Sequence, residues 1–306
     1  MSEGGGILNF QNRVVDSLKI QGQIKKCLTH DSQAVIVALE AKDLIAEALT
    51  VQKASPAAIL HLGYGLMSCL LVAALPDTHD EESLEFQWKN SGPFGSLFVE
   101  GGTGGRVRGT IGNANPVESQ TELEIPMGEG LLQVRRKKKV FTTGITESKG
   151  NVLLDVLEYL EKSEQRMCSM NLWIDLGITS ENGIDKLTVK NALGFLVHVV
   201  GGHHQAQVSD ALLYQWDSHL VSLGKMSEWI LGPDPTTDIL RFISGEYKPR
   251  VIDSYPVSSF CSCSRERAER ALDLVKKLDE KSGIEALKGQ QEVKCEFCGR
   301  EFRIES

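Results

Sequence analysis

Cys261-Ser262-Cys263 and, after 31 intervening residues, Cys295-Glu296-Phe297-Cys298 form the stretch around which the chain is organised. Two closely spaced pairs can each grip one side of a tetrahedral ion, with the intervening segment bringing the pairs together. Zinc prefers that arrangement when all four ligands are thiolate sulfurs. Partners one or two residues apart also lie within bridging reach, so the same pairs could close into two local disulfides without rearranging the chain. Both chemistries stay open at this point, and a site able to adopt either is a potential switch.

The surroundings of these cysteines raise the stakes. The last 46 residues carry ten bases and ten acids, with few large apolar side chains. Ala268, Ala271, Leu272, Val275 and Leu278 make one apolar face of a helix predicted to start near Ser264. Glu266 in its first turn and Lys276 and Lys277 near its end both suit the helix dipole. A module this small cannot bury enough core to stand alone. Metal binding contributes on the order of 10–16 kcal/mol in small zinc domains, more than such a core offers, so metal occupancy decides whether the module folds.

Across the whole chain, 306 residues allow one large domain and a smaller one. A formal charge of −8 argues against a protein built mainly to hold nucleic acid. Seven cysteines, an odd number with four in the tail, point to a reducing compartment where metal sites prevail over structural disulfides. Met1–Phe10 is glycine-rich, with neither a signal nor an Arg-rich transit pattern, which makes the cytoplasm the expected location. Ala54–Pro76 contains no Asp, Glu, Lys or Arg. His61, Gly63, Gly65 and Ser68 interrupt it, and no basic cluster flanks it. Ser55-Pro56 reads as a cap with proline in the first turn and Pro76 as a stop, so a buried core helix is expected rather than a membrane span.

Asp31–Thr50 has the spacing of an amphipathic helix entered near Asp31 or Ser32. Leu84-Glu-Phe-Gln-Trp88 alternates like a half-buried strand. Between Gly92 and Gly112, eight glycines among Phe94, Leu97, Phe98, Val99, Val107 and Ile111 predict hairpin strands, with Gly101–Gly105 as a turn. That tract lacks both phosphate-loop spacings, and a structural turn is the reading. Arg135–Lys139 is a run of five cations flanked by apolar residues. On a strand these cannot share one face, so a solvated strand protecting a sheet edge is expected rather than a nucleic-acid patch. Asn151–Ser163 has helical spacing, and Leu172–Leu176 and Leu193–Val200 read as buried strands. Gly201-Gly-His203-His204-Gln205 reads as a loop at a domain edge, since no cysteine or acid near the two histidines completes a metal site.

From Val208 to Phe260, seven acids face four bases, interspersed with aromatic residues. Leu212, Trp216, Leu220 and Leu223 fall at helical intervals, and Thr236–Ser244 predicts a short helix ended by Gly245. Helices this short need a docking surface to persist. The fold class is therefore α+β: an N-terminal sheet domain with packed helices (1–207), a metastable helical linker (208–260) and a zinc-binding module (261–306).

Phe260-Cys-Ser-Cys-Ser-Arg-Glu-Arg267 and Glu292-Val-Lys-Cys-Glu-Phe-Cys298, at their characteristic interval, closely resemble the redox-regulated chaperone family called heat shock protein 33. Tyr159-Leu-Glu-Lys-Ser-Glu-Gln165, Gly92-Pro-Phe-Gly95 and Arg106-Val-Arg-Gly109 resemble further segments of that family, in the same order along the chain. The chain departs from it in a longer N-terminus, the Gly-Gly-His-His loop, the cationic run and a very short tail. The resemblance implies a reduced, inactive form holding one Zn2+ on Cys261, Cys263, Cys295 and Cys298. It implies an oxidised form with Cys261–Cys263 and Cys295–Cys298 disulfides, no zinc and a disordered linker. That form would hold unfolding client proteins without nucleotide hydrolysis, commonly as a homodimer.

Two other classes of protein compete with that reading. A permanent structural zinc ribbon binding a partner or nucleic acid is the bland alternative, though Cys-x-Cys is less usual there than Cys-x-x-Cys. An enzyme is disfavoured because four thiolates leave no coordination position for a catalytic water. Cys27, Cys69 and Cys168 also lack an evident base nearby, and Cys69 reads as a core residue.

Overall fold

The computed structural model describes residues 20–29, 34–75, 83–102, 104–117, 125–137, 141–200, 214, 228, 232–245, 249–281 and 289–305. One sheet dominates it. Its strands are β1 (Gly22–Leu28), β2 (Ala34–Glu40), β3 (Ser83–Asn90), β4 (Ser96–Gly102), β5 (Arg106–Ile111), β6 (Gly130–Lys137), β7 (Phe141–Ser148), β8 (Cys168–Glu181), β9 (Ile184–Val199) and β10 (Arg250–Ser259). The ten strands run in the order β7-β6-β3-β4-β5-β10-β1-β2-β9-β8. Every neighbouring pair is antiparallel except β10 with β5, whose parallel register covers only Ser258–Arg106 and Ser259–Val107. β10 is thus the seam between two half-sheets.

Helices α1 (Lys42–Gln52), α2 (Pro56–Ala73) and α3 (Val152–Glu164) cover one face. The Ser55 hydroxyl accepts the Ala58 N–H at 3.3 Å and Pro56 fills the first turn of α2, as the sequence predicts. α2 is long and apolar enough to cross a membrane, yet 78% of it is buried inside the protein. Its glycines permit this close seat: a Cβ at Gly63 would lie 2.5 Å from Ile174 Cδ1. Leu62, Leu66 and Leu70 pack with Phe86, Trp88, Leu97 and Val99 in the main core. α3 ends in the Tyr159–Gln165 motif, where Glu164 accepts Arg136 Nε at 2.7 Å and Arg166 Nε at 3.0 Å.

Three expectations need correction. Asp31–Thr50 is not one helix, because Ala34–Glu40 is strand β2 and helix α1 begins only at Lys42. The cause is two-sided burial, which replaces alternation with a continuous apolar run. Val35, Val37 and Leu39 face the main core. Ala34, Ile36 and Ala38 face a second core made with Ile239, Leu240 and Ile243 of α4 (Pro235–Ser244). The cationic run does not mark a sheet edge, since β6 lies between β3 and β7. Arg136 is buried against Glu164, and Arg135 reaches Glu85 at 3.4 Å. Finally, the segment expected as a helical linker is helical at α4, but Arg250–Ser259 is strand β10 in the middle of the sheet. Its alternation with Pro256 and polar residues hid it.

The predicted helix around Leu212–Leu223 and the pair His203-His204 lie outside the described residues, as does Pro76. α4, however, has found the docking surface its sequence demands. Asp234 caps it by accepting the Thr237 N–H at 3.1 Å and pairs with Lys25 of β1, which also donates to Thr237 Oγ1 at 2.7 Å. Burial opposes ionisation of Asp234, but hydrogen bonds from Lys25, Thr236 and Thr237 outweigh it and hold its carboxyl well below the usual carboxylate range.

Two outcomes follow from this architecture. Gly105 sits at φ +74° with its Cβ position 2.2 Å from the Pro256 carbonyl oxygen of β10. Gly105→Ala is expected to destabilise the sheet by about 1–3 kcal/mol in denaturant melts, through backbone strain and a pried seam. Because the folded pKa of Asp234 is depressed, its contribution is complete above the ordinary carboxylate value and is lost as pH falls through the folded one. Hydrogen exchange in residues 235–244 is therefore expected to accelerate below about pH 4. Asp234→Asn, which keeps the cap oxygen, should already exchange faster at pH 7 and lose that acid dependence.

Candidate metal centre

The tail is built from α5 (Arg265–Lys281) and the hairpin of β11 (Gln290–Lys294) and β12 (Glu301–Glu305). Each cysteine stands at an element end. Phe260, just past β10, donates its N–H to the Val107 carbonyl at 3.2 Å, so Cys261 leaves the sheet with its backbone fixed. Cys263 precedes the Ser264 cap, whose hydroxyl accepts the Arg267 N–H at 3.3 Å. Cys295 and Cys298 occupy the turn between β11 and β12. Cys295 N–H donates to the Arg300 carbonyl at 2.8 Å, and Gly299 N–H returns to the Cys295 carbonyl at 2.8 Å. Among the described residues of this module, Ala268, Leu272 and Ile304 are its buried apolar side chains, with Val293 and Phe302 packed against them. On the predicted apolar face of the helix Val275 is exposed, and the Leu278 side chain lies outside the described residues.

The four sulfurs converge, all lying within 4.8 Å of one another. Cys261 and Cys295 are 3.5 Å apart, as are Cys263 and Cys298. A tetrahedral ion with 2.3 Å bonds to sulfur requires sulfur separations of about 3.8 Å, so these residues fit a four-thiolate metal site. The sulfurs are electrostatically distinct. Burial, then the hydrogen bond with Cys298 and the nearness of Cys261, push the Cys263 thiol far up. Burial also opposes ionisation of Cys295, but the N–H groups of Cys298 and Phe297 aimed at its sulfur bring it below the ordinary thiol value. The backbone thus favours the thiolate at Cys295, whereas burial disfavours it at Cys263 and Cys298.

The centre rests on the sheet. Phe297, between the second pair of cysteines, meets Phe98 of β4 edge-on at 5.9 Å. Arg108 of β5 lies 4.5 Å above the Phe297 ring and 5.1 Å above the Phe260 ring, held from behind by an ion pair with Glu100. Arg108 also reaches the Ser262 hydroxyl at 3.4 Å, and the Gln52 amide donates to the Glu296 carbonyl. These partners escaped the reading of the sequence. The available signal was Arg106-Val-Arg-Gly109, a charged pair inside a glycine-rich strand, but nothing local linked it to a turn some 190 residues away.

The remaining cysteines are elsewhere. Cys69 is in the core of α2, as expected, with burial holding its thiol far up. Cys27 is buried under α4, and burial pushes its thiol up to about 12. Cys168 stands 3.7 Å from His198 Nδ1, and its thiol is raised by burial to about 12, so this pair is no activated nucleophile.

A large sheet domain carrying a four-thiolate tail with almost no core defines a class of protein whose tail is held by its sulfurs. Comparison with known proteins gives that class a family. The model of the family described as Hsp33 protein matches residues 22–305, and the chain belongs to that family. The 33 kDa chaperonin of Aquifex aeolicus is 26% identical, over 88% of this chain and 82% of its own length. That of Latilactobacillus sakei is 25% identical, over 91% and 94%. The crystal structure of the 33 kDa chaperonin of Thermotoga maritima shares the fold, with a TM-score of 0.71 at 22% identity over 93% of this chain and 95% of that one. Family and relatives support a chaperone.

Cys298→Ser removes one of four ligands. Titration with a zinc chelator should show affinity weakened at least about tenfold, and proteolysis should cut residues 265–305 first. Full metal retention and protection would break the ligand assignment.

Proposed function

We propose that the protein is a redox-regulated, ATP-independent holdase of the cytoplasm, inactive while its four thiolates hold one zinc ion. The carrying observation is the convergence of four sulfurs in a module that has, among the described residues, three buried apolar side chains of its own. When bound, the ion would offset half of the four thiolate charges and cross-link α5, the β11–β12 turn and the end of β10. The chain's own residues do the rest. Cys261 pairs with Cys263 and Cys295 with Cys298, the pairing that the family resemblance implies. Each pair of thiolates gives two electrons to a peroxide, which takes up two protons and leaves as two waters. Disulfide sulfurs are neutral and no longer ligate, so the cross-link is lost. The tail then lacks the stability to stay folded. Loss of order spreads along the linker, apolar surface becomes accessible to unfolding proteins, and activated chains pair as homodimers.

Peroxide under mild unfolding stress is the test. Expected together are release of one zinc per chain, loss of four of the seven thiols and suppression of aggregation of a heat-denatured client. Aggregation behaviour that is the same before and after oxidation would instead assign the sulfurs to a permanent structural ribbon.

A further inference from the structure

The contact between the tail and the sheet has the form of a filled binding site. Phe297, half-buried in a turn of the small module, lies against side chains of the sheet domain and beside the residue after β10. Phe98 gives it an edge, and Arg108 gives it a cationic lid 4.5 Å from the ring. Phe260 extends the same guanidinium stack on the far side, with Arg106 also 5.1 Å from its ring. Beside the ring, Gln52 donates its amide to the backbone carbonyl of Glu296, and Thr110 fixes Gln52 by donating to Oε1 at 3.3 Å. These contacts therefore read two things: an aromatic side chain, and the carbonyl of the residue before it. Any extended polypeptide with an aromatic residue presents both. The Arg108 end is kept in place by Glu100 on the neighbouring strand, independently of the tail.

We infer that Gln52, Phe98 and Arg108 form a binding site for aromatic residues of unfolded polypeptides, which Phe297 occupies in cis, with Phe260 beside it, while the sulfurs hold the tail. This deepens the proposed holdase reading and rests on it for the nature of the ligand. Phe297 lies between two of the ligating cysteines, so its position is tied to theirs. Once the turn is free, an intramolecular occupant becomes one competitor among many, and its high effective concentration falls away. Guanidinium–aromatic and edge-to-face contacts give selectivity for an aromatic ring without selectivity for sequence.

The test uses the full chain and a labelled glycine–serine peptide carrying one phenylalanine, beside the same peptide carrying alanine. Fluorescence anisotropy reads the preference between them. Reduced, zinc-loaded wild type should show none, and oxidised wild type should prefer the phenylalanine peptide by roughly tenfold. Phe297→Ala, reduced and with its zinc content verified, should show the same preference without oxidation. Oxidised Phe98→Ala, altered on β4 away from the sulfurs, should lose it. The inference falls if metal-loaded Phe297→Ala discriminates no better than reduced wild type, or if oxidised Phe98→Ala keeps the full preference. Should Phe297→Ala fail to hold zinc, the Phe98→Ala arm decides alone. Client aggregation separates the two readings. Oxidised wild type that prefers phenylalanine but protects no client keeps the site and sinks the holdase, whereas protection without any preference does the reverse.

Discussion

Everything at the C-terminal end depends on four sulfur atoms standing within 4.8 Å of each other. The three buried apolar side chains among its described residues do not offset the entropy of ordering a module of that length, at roughly 1.5 kcal/mol for each residue. Sulfurs at this spacing could supply the difference by holding a metal ion, which the proposed function requires. The backbone prepares this unevenly: Cys295 receives two N–H groups, while Cys263 is left to burial and its neighbours.

The sheet converts that local state into something larger. β10 ends at Ser259, one residue before Phe260 and two before Cys261, and it is also the strand that joins the two half-sheets. Its junction with β5 has just two register pairs, against six for β1–β2 and β4–β5 and seven or more for each of the other neighbouring pairs. Arg108 sits beside that junction and touches the tail at both Phe297 and Ser262. The weakest seam in the sheet and the docked tail therefore share residues.

How legible this was depends on how local each signal is. The α2 cap, the alternation of Leu84–Trp88, the glycine turn after β4 and the Gly245 stop are local, and the structure agrees with them. The cysteine pairs were legible for the same reason: ligand spacing survives in the chain even when the fold is unknown. β2 was misread because its second covering layer, α4, comes some 200 residues later. β10 was misread because its companions are set by distant strands rather than by its own pattern, which contains Pro256 and exposed Val251 and Ile252. The Arg108 stack was illegible altogether, since cation–ring geometry leaves no periodic trace.

The position of β10 also constrains how the protein is made. Gln23 of β1 and Ser254 of β10 are 231 residues apart yet hydrogen-bonded. While a ribosome is still extending the chain, β1 and β5 must wait with bare strand edges for a partner synthesised near the end. Such edges invite pairing with other chains, and closure over so long a span is slow. During its own synthesis the nascent polypeptide is exposed to the same hazard of intermolecular strand pairing that threatens any unfolding protein.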